Sequence, residues 1–275
     1  MKIAIQGELG SFSHEAAVTF VSDATVVPCA VAADVLHALD ESQVEAAAIP
    51  VENSLAGSVI DFYDLFFSHE FAIERELQMR IRHNLIVTPG TEMESLRQVF
   101  SHPVALAQCK EFFAAHPILK PTAYYDTAGS VQHILEEKSD QLAAIASRQA
   151  AAQYGAKILE EGIEDRAGSF TRFWLIRPRG AVRPEANPSK LSIAFSLENR
   201  PGALLQALGT FAARKLNLTK IESRPINGRP WEYMFYADVT ISSSDQASAV
   251  LDDLRKICPA LKEMGRYSTG NRASN

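Results

Sequence analysis

Lys2-Ile3-Ala4-Ile5-Gln6-Gly7-Glu8-Leu9-Gly10-Ser11-Phe12-Ser13-His14-Glu15-Ala16-Ala17 reads as a short strand, a glycine-rich turn and the first turns of a helix. Such a turn is a favourable anion seat, because free backbone N–H groups and the helix dipole both point at it. No Gly-Lys-Ser/Thr follows, so it is not a nucleotide P-loop, and a small carboxylate fits better. Ser11 or Ser13 also suits the N-cap of the helix, and the two roles are compatible.

The same unit recurs along the chain. Val26-Val27-Pro28 is a short strand before a helix over 32–39, and Ala46-Ala47-Ala48-Ile49-Pro50-Val51 is an apolar strand ending in Glu52-Asn53-Ser54, with a helix starting near Gly57-Ser58. Ile73, Arg75, Leu77, Met79 and Ile81 alternate as a strand, Leu85-Ile86-Val87-Thr88 follows, and 104–113 reads as one helix with Gln108 near its start. Further strand-to-helix junctions fall at Asp126-Thr127-Ala128-Gly129-Ser130 and at Ser147. Alternating strand and helix is an α/β signal. In open α/β sheets the carboxyl ends of strands face the binding crevice, and a hydroxyl or amide recurs there at Ser11, Asn53, Ser54, Thr127, Ser130, Ser147 and Thr171.

Gly168-Ser169-Phe170-Thr171-Arg172-Phe173-Trp174 brings one hydroxyl and one guanidinium to the start of an apolar strand. A threonine hydroxyl gives or takes a hydrogen bond, and a guanidinium fork matches a carboxylate, so the pair points to an acidic substrate. The residue types also suit an ordinary strand with a surface charge.

Pro178, Pro184 and Pro188 punctuate a polar linker over 177–189, and the pattern then changes. Leu191, Ile193, Phe195 and Leu197 alternate as a strand, and Asn199-Arg200-Pro201-Gly202-Ala203 opens a helix whose Leu204, Leu205, Leu208, Phe211 and Ala212 share a face. Strands over 218–223 and 233–241, joined by a turn at Asn227-Gly228, a helix over 245–257 and a strand over 261–267 complete a ferredoxin-like βαββαβ order. The expected domains are residues 1–178 and 190–268.

The formal charge of -6 and the lack of basic runs argue against nucleic acid as a partner. The N-terminal apolar run is too short for a signal peptide or membrane span, which makes the cytoplasm the default. Cys29, Cys109 and Cys258 suit buried free thiols, and the histidines lack metal-ligand spacing, so neither a metal nor another cofactor is expected. His83 and His102 read as structural or surface residues.

Taken together, the blocks around Gly10–Ala17, Ile49–Ser54, His102-Pro103 with Ala107-Gln108-Cys109, Asp126–Ser130 and Thr171-Arg172-Phe173 resemble those of prephenate dehydratases. Gly202-Ala203-Leu204-Leu205 and Glu222-Ser223-Arg224-Pro225 resemble the effector motifs of that family's ACT domain. The resemblance covers nearly the whole chain. It departs from the family pattern at Ser169, where Asn is common, and at Glu8, where Pro is common.

The resemblance implies a two-lobed, periplasmic-binding-protein-like α/β catalytic domain followed by a ferredoxin-like ACT domain. It implies conversion of prephenate to phenylpyruvate with loss of water and carbon dioxide, without metal or cofactor. Thr171 then assists the leaving hydroxyl, and Arg172 is a carboxylate partner or electrostatic organiser. Ser11, Ser13, Asn53, Ser54, Gln108, Thr127, Ser130, Ser169 and Phe173 line the substrate site. L-phenylalanine is the implied effector, held by Asn199, Gly202, Ala203, Leu204, Leu205, Glu222, Ser223, Arg224 and Pro225 in a homodimer or homotetramer. Arogenate dehydration is the neighbouring chemistry, and a catalytically silent amino-acid sensor the alternative of another class.

Overall fold

A computed structural model describes residues 1–166, 168–226, 228–270 and 272–273. The turn expected at Asn227-Gly228 falls partly outside them, at Asn227. The chain runs β1 Lys2–Gln6, α1 Phe12–Phe20, β2 Thr25–Cys29, α2 Ala32–Asp40, β3 Ala46–Asn53, β4 Gly57–Ser58, α3 Ile60–Phe66, β5 Phe71–Arg80 and β6 Asn84–Val87. It continues with β7 Gln98–Ser101, α4 Pro103–Ala107, α5 Lys110–Ala115, β8 Lys120–Ala123, α6 Thr127–Glu137, β9 Leu142–Ala146, α7 Arg148–Tyr154, β10 Lys157–Glu160 and β11 Phe170–Pro178. The last part is β12 Lys190–Ser196, α8 Ala203–Ala213, β13 Leu218–Pro225, β14 Tyr233–Thr240, α9 Ser244–Arg255, β15 Leu261–Tyr267 and β16 Arg272–Ala273. Among the described residues no helix is long and apolar enough to cross a membrane.

Two compact units result: Met1–Val59, Leu77–Phe173 and Arg272–Asn275 form one, and Ile60–Glu76 with Trp174–Asn271 the other. The first contains two α/β lobes. One is built on a sheet of order β16-β5-β11-β3-β1-β2, to which this unit gives β5 from Leu77 onward and β11 as far as Phe173; β4 pairs with β3, and β1 lies parallel to both β2 and β3. Parallel strands covered on both faces need continuous apolar side chains, which Ile3-Ala4-Ile5 and Ala46-Ala47-Ala48-Ile49 provide. The other lobe has the order β10-β6-β9-β7-β8. Strand alternation divides its core: Leu85, Val87, Val99 and Ile145 pack with Phe112 on one face, while Ile86, Ala144 and Ala146 pack with Val131 and Ile134 on the other.

The helix expected over 104–113 is two helices. Asp165 accepts hydrogen bonds from Lys110 N at 3.0 Å and Glu111 N at 2.8 Å, while its own N–H donates to Gln108 O at 2.7 Å. A carboxylate distant in sequence thus caps a fresh helix and makes the break at Gln108 and Cys109. Gly57-Ser58, expected to begin a helix, instead pairs back on Glu52 and Asn53 as β4, and the helix begins at Ile60.

In the second unit β13-β14-β12-β15 form a sheet with α8 and α9, in the expected βαββαβ order. The buried stripe of α8 is Ala203, Ala207 and Phe211, whereas Leu204 and Leu205 are exposed and Ala212 faces solvent, unlike the single apolar face expected. Residues 60–76 belong to this unit. Tyr236 Oη donates to Tyr63 O at 2.6 Å, the Tyr63 ring lies edge-on to Tyr236 and Trp174, and Lys190 donates to both oxygens of buried Glu76 at 2.8 and 2.9 Å.

Candidate active site

The carboxyl end of β3 and the amino end of β11 hold the chemistry of the first lobe. Asn53 Oδ1 accepts from the N–H groups of Leu55 at 3.0 Å and Ala56 at 2.9 Å, which fixes which end of its amide is the donor. Its Nδ2 donates to Thr171 Oγ1 at 3.0 Å and to Ser169 Oγ at 3.2 Å. Thr171 is only 8% exposed. Since Asn53 occupies a lone pair of Thr171, the threonine proton is directed elsewhere, and a hydroxyl that accepts a bond becomes a better donor. Ser169, where the family often has Asn, here accepts from Asn53.

Ser54 clamps the same junction: its N–H donates to Phe170 O at 2.8 Å and Phe170 N donates to its hydroxyl at 3.0 Å. Successive strand residues point to opposite faces, so Arg172 leaves the side that Thr171 and buried Phe173 share. It meets Glu52, Nη1 donating to Oε2 at 2.6 Å. The Thr-Arg pair adjacent in sequence is therefore divided between two neighbours, Asn53 for one face and Glu52 for the other.

The turn after β1 is held from several sides. Ser11 caps α1 by accepting from His14 N at 3.3 Å, Gly10 N donates to His14 Nδ1 at 2.8 Å, and Ser147 Oγ donates to Gly10 O at 2.7 Å. Gly10, at φ +88°, lies so close to Ala150 that a Cβ would meet its Cα at 2.8 Å. Burial lowers the pKa of His14, keeping the ring a neutral acceptor for Gly10. Ser13 is buried beside these groups.

From the second lobe, Asp126 caps α6 by accepting from Gly129 N at 2.9 Å. Its pKa is raised by burial, against the lowering effect of the Gly129 and Ala128 N–H groups. Tyr125 Oη donates to Glu8 Oε1 at 3.0 Å, which gives the departure at Glu8 a partner. Thr127 opens α6, while Ser130 is fully buried and donates to Thr127 O at 2.6 Å. That bond spends the Ser130 proton inside the helix.

A cavity of about 570 Å³ is lined by Leu55, Ala56, Gln108, Lys110, Arg166 and Ser169 among others. Ser169 joins it to the Asn53–Thr171 chain. Behind Gln108 lies buried His83, its Nε2 2.9 Å from Gln108 Oε1. The sequence reading missed this residue: a lone histidine after an apolar strand carries no local signal, and only the folded chain brings it to Gln108.

In the second unit a smaller cavity of about 140 Å³ is lined by Leu197, Glu198, Asn199, Arg200, Ala203, Leu204, Trp231, Tyr233 and Phe235. Asn199, Ala203 and Leu204 of the expected effector set line it. Gly202 caps α8 at φ +83°, a left-handed conformation that favours glycine. Leu205 is 74% exposed, and Glu222, Ser223, Arg224 and Pro225 lie along β13.

A two-lobed α/β domain with polar groups gathered at its strand ends, followed by a four-stranded βαββαβ module, defines a scaffold of the small-ligand-binding class with a ferredoxin-like module appended. The particular family follows from comparison with known proteins. The prephenate dehydratase family matches residues 3–181 and the ACT domain family residues 191–259. The chain belongs to the prephenate dehydratase family and carries an ACT domain. It is 37% identical over 278 residues to arogenate dehydratase/prephenate dehydratase 2, chloroplastic, of Arabidopsis thaliana, covering 97% of this chain and 72% of that protein. The structure of a prephenate dehydratase from Arthrobacter aurescens in complex with L-Phe aligns with TM-score 0.90 and 30% identity, over 98% of this chain and 90% of the other. The structure of GqqA, described as a novel type of quorum quenching acylase, aligns with TM-score 0.90 and 31% identity over 98% of both chains.

Proposed function

We propose that the protein converts prephenate to phenylpyruvate with loss of water and carbon dioxide, and that phenylalanine at the ACT module feeds back on that reaction. The observation carrying the catalytic reading is the donor chain from Leu55 and Ala56 through Asn53 to Thr171, which leaves the Thr171 proton free of any acceptor among the described residues.

In the reaction the C–C electron pair of the departing carboxylate moves into the ring, and the C–O pair leaves with the hydroxyl oxygen. Aromatisation supplies the driving force, so the protein must orient the ring and ease departure of that oxygen. Thr171 donates to it. A threonine hydroxyl is a weak acid, so its proton shifts only partway along the hydrogen bond and stays with Thr171, while the departing oxygen leaves as hydroxide and becomes water by taking a proton from solvent. Arg172, engaged with Glu52, acts as electrostatic organiser of the two strand ends. Gln108, Ser11 and Thr127 are neutral donors for the substrate carboxylates, which release product more readily than a nest of buried charges would.

The smaller cavity suits phenylalanine: apolar and aromatic side chains beside the N-terminus of α8 can take a ring and a carboxylate. Leu205 on α8 and Ile221 on β13 are exposed apolar side chains of the kind a second copy of the chain would cover, which supports a homodimer or homotetramer. The free thiols of Cys29, Cys109 and Cys258 support a cytoplasmic setting.

The test supplies purified protein with prephenate and, separately, arogenate, and follows the aromatic product. Phenylpyruvate from prephenate is the expected result. Phenylalanine formed from arogenate alone would move the reading to arogenate dehydration, and product from neither would leave a sensor.

A further inference from the structure

We propose that His83 is a positioning residue that turns the amide NH2 of Gln108 into the cavity, where it donates to a carboxylate oxygen of the substrate. The identity of that substrate rests on the function proposed above, but the orientation of the amide does not.

His83 follows β5 and is 3% exposed. Its backbone is held twice, its N–H donating to Glu164 Oε2 at 3.0 Å and its carbonyl accepting from Ile163 N at 2.9 Å. Its ring sits edge-on to Phe12, with centroids 5.9 Å apart. Nε2 lies 2.9 Å from Gln108 Oε1, and Nδ1 is buried without a hydrogen-bond partner among the described residues.

Two neutral arrangements fit this contact. In the first, the proton is on Nε2 and is donated to Gln108 Oε1, leaving Nδ1 with an unmet lone pair. In the second, the Gln108 amide is reversed and donates to Nε2, so the ring proton sits on Nδ1 as a buried donor without an acceptor. Orphaned buried N–H donors are rare and costly, so the first arrangement prevails. The doubly protonated ring would orphan the same donor and bury a charge besides. Desolvation lowers the pKa of His83 despite the opposing influence of Gln108 and Glu164, which keeps the ring neutral.

Gln108 is consequently fixed at both ends. Its backbone carbonyl accepts from Asp165 N at 2.7 Å at the break between α4 and α5, and its side-chain oxygen is taken by His83. The NH2 group is what remains for the cavity that Gln108 lines. A preset donor avoids the cost of ordering a flexible side chain on binding. An amide free to rotate would offer its carbonyl to a carboxylate as readily as its NH2.

The test is a double-mutant cycle in the full-length chain with prephenate: His83→Leu, Gln108→Leu and both, with His83→Gln as the conservative variant. Each single change to Leu should raise KM by roughly 10- to 100-fold, the range of a hydrogen bond to a charged group. The double variant should be no worse than Gln108→Leu alone, and His83→Gln, whose NH2 can take the place of Nε2–H, should recover most of the loss. Parental kinetics in His83→Leu, or additive losses in the double variant, would overturn the proposal. A second readout needs neither turnover nor a variant that folds: 15N NMR of the parental imidazole should show protonated Nε2 and unprotonated Nδ1. The reverse tautomer would overturn the proposal even in an active enzyme. A parental chain inactive on prephenate, with the Nε2–H tautomer present, would remove the proposed substrate while leaving the amide orientation standing.

Discussion

The two cavities are prepared in opposite ways. The larger one is lined by side chains already held in place: Ser169 by Asn53, Gln108 by His83, and Asp165 by the N–H groups that open α5. The smaller one is ringed by Leu204, Trp231 and Tyr233, which are exposed apolar groups. A site that must stabilise a transition state gains from donors fixed before substrate arrives. A site that must report a ligand gains from surfaces the ligand completes, because only differential interaction between two states shifts an equilibrium.

The comparison breaks first at Thr171. Thr171→Ala should lower kcat by about 10²- to 10⁴-fold, the range for loss of a positioned proton donor, with much less change in KM. Steady-state kinetics on prephenate beside a thermal melt measures this; near-parental turnover in a folded variant would remove the hydroxyl from the reaction. Arg172→Lys should cost less, about tenfold in kcat/KM, because a charge remains but the planar guanidinium whose Nη1 meets Glu52 is lost. An unchanged rate would reduce Arg172 to a point charge.

These two expectations also show what the sequence could reveal. The period-2 rule applied to Phe170–Pro178 already separates Thr171 from Arg172, and applied to Ala46–Asn53 it separates Glu52 from Asn53; that the two strands lie side by side, so that these residues pair, comes only from the fold. The strand-turn-helix units and the ferredoxin-like order were legible because each rests on local periodicity. The break at Gln108 was not, since it depends on the Asp165 carboxylate arriving from 55 residues away. His83 was illegible for the same reason. Leu204 and Leu205 misled because helical spacing marks an apolar face without telling whether this chain or another molecule covers it.

On the sensing side, Gly202→Val should leave basal turnover near the parental value and shift the phenylalanine response several-fold, since φ +83° strains a β-branched residue at the cap of α8. Titrating phenylalanine against activity measures it. A parental response would place the effector away from this helix terminus. A chain ending near Arg179 tests the division more coarsely and, because it strips Tyr63 and Glu76 of Tyr236 and Lys190, is assayed beside a thermal melt: in a folded chain, retained catalysis with no response separates the functions. Full phenylalanine sensitivity would put the effector site in the first 179 residues.

The smallest expected effect concerns acid stability, and it belongs wholly to the prepared side. His83 and His14 both have pKa values lowered by burial from the ordinary 6.5. In the unfolded chain each takes up a proton as pH falls through that value, whereas in the fold each stays neutral to lower pH. Between the two pKa values the unfolded state binds more protons, so the contribution to stability is complete above pH 6.5 and declines as pH falls toward the folded pKa. The charged group that acts on His83 is Glu164, whose carboxylate favours the protonated ring and itself lies 3.8 Å from Arg80. Urea unfolding across pH 5 to 8 should therefore show midpoints falling on the acid side, and His83→Gln, which has nothing to titrate, should fall less steeply than the parent. A variant with the parental slope would mean that the His83 pKa is not lowered in the fold, and burial would then not be what keeps the ring neutral on the acid side of 6.5.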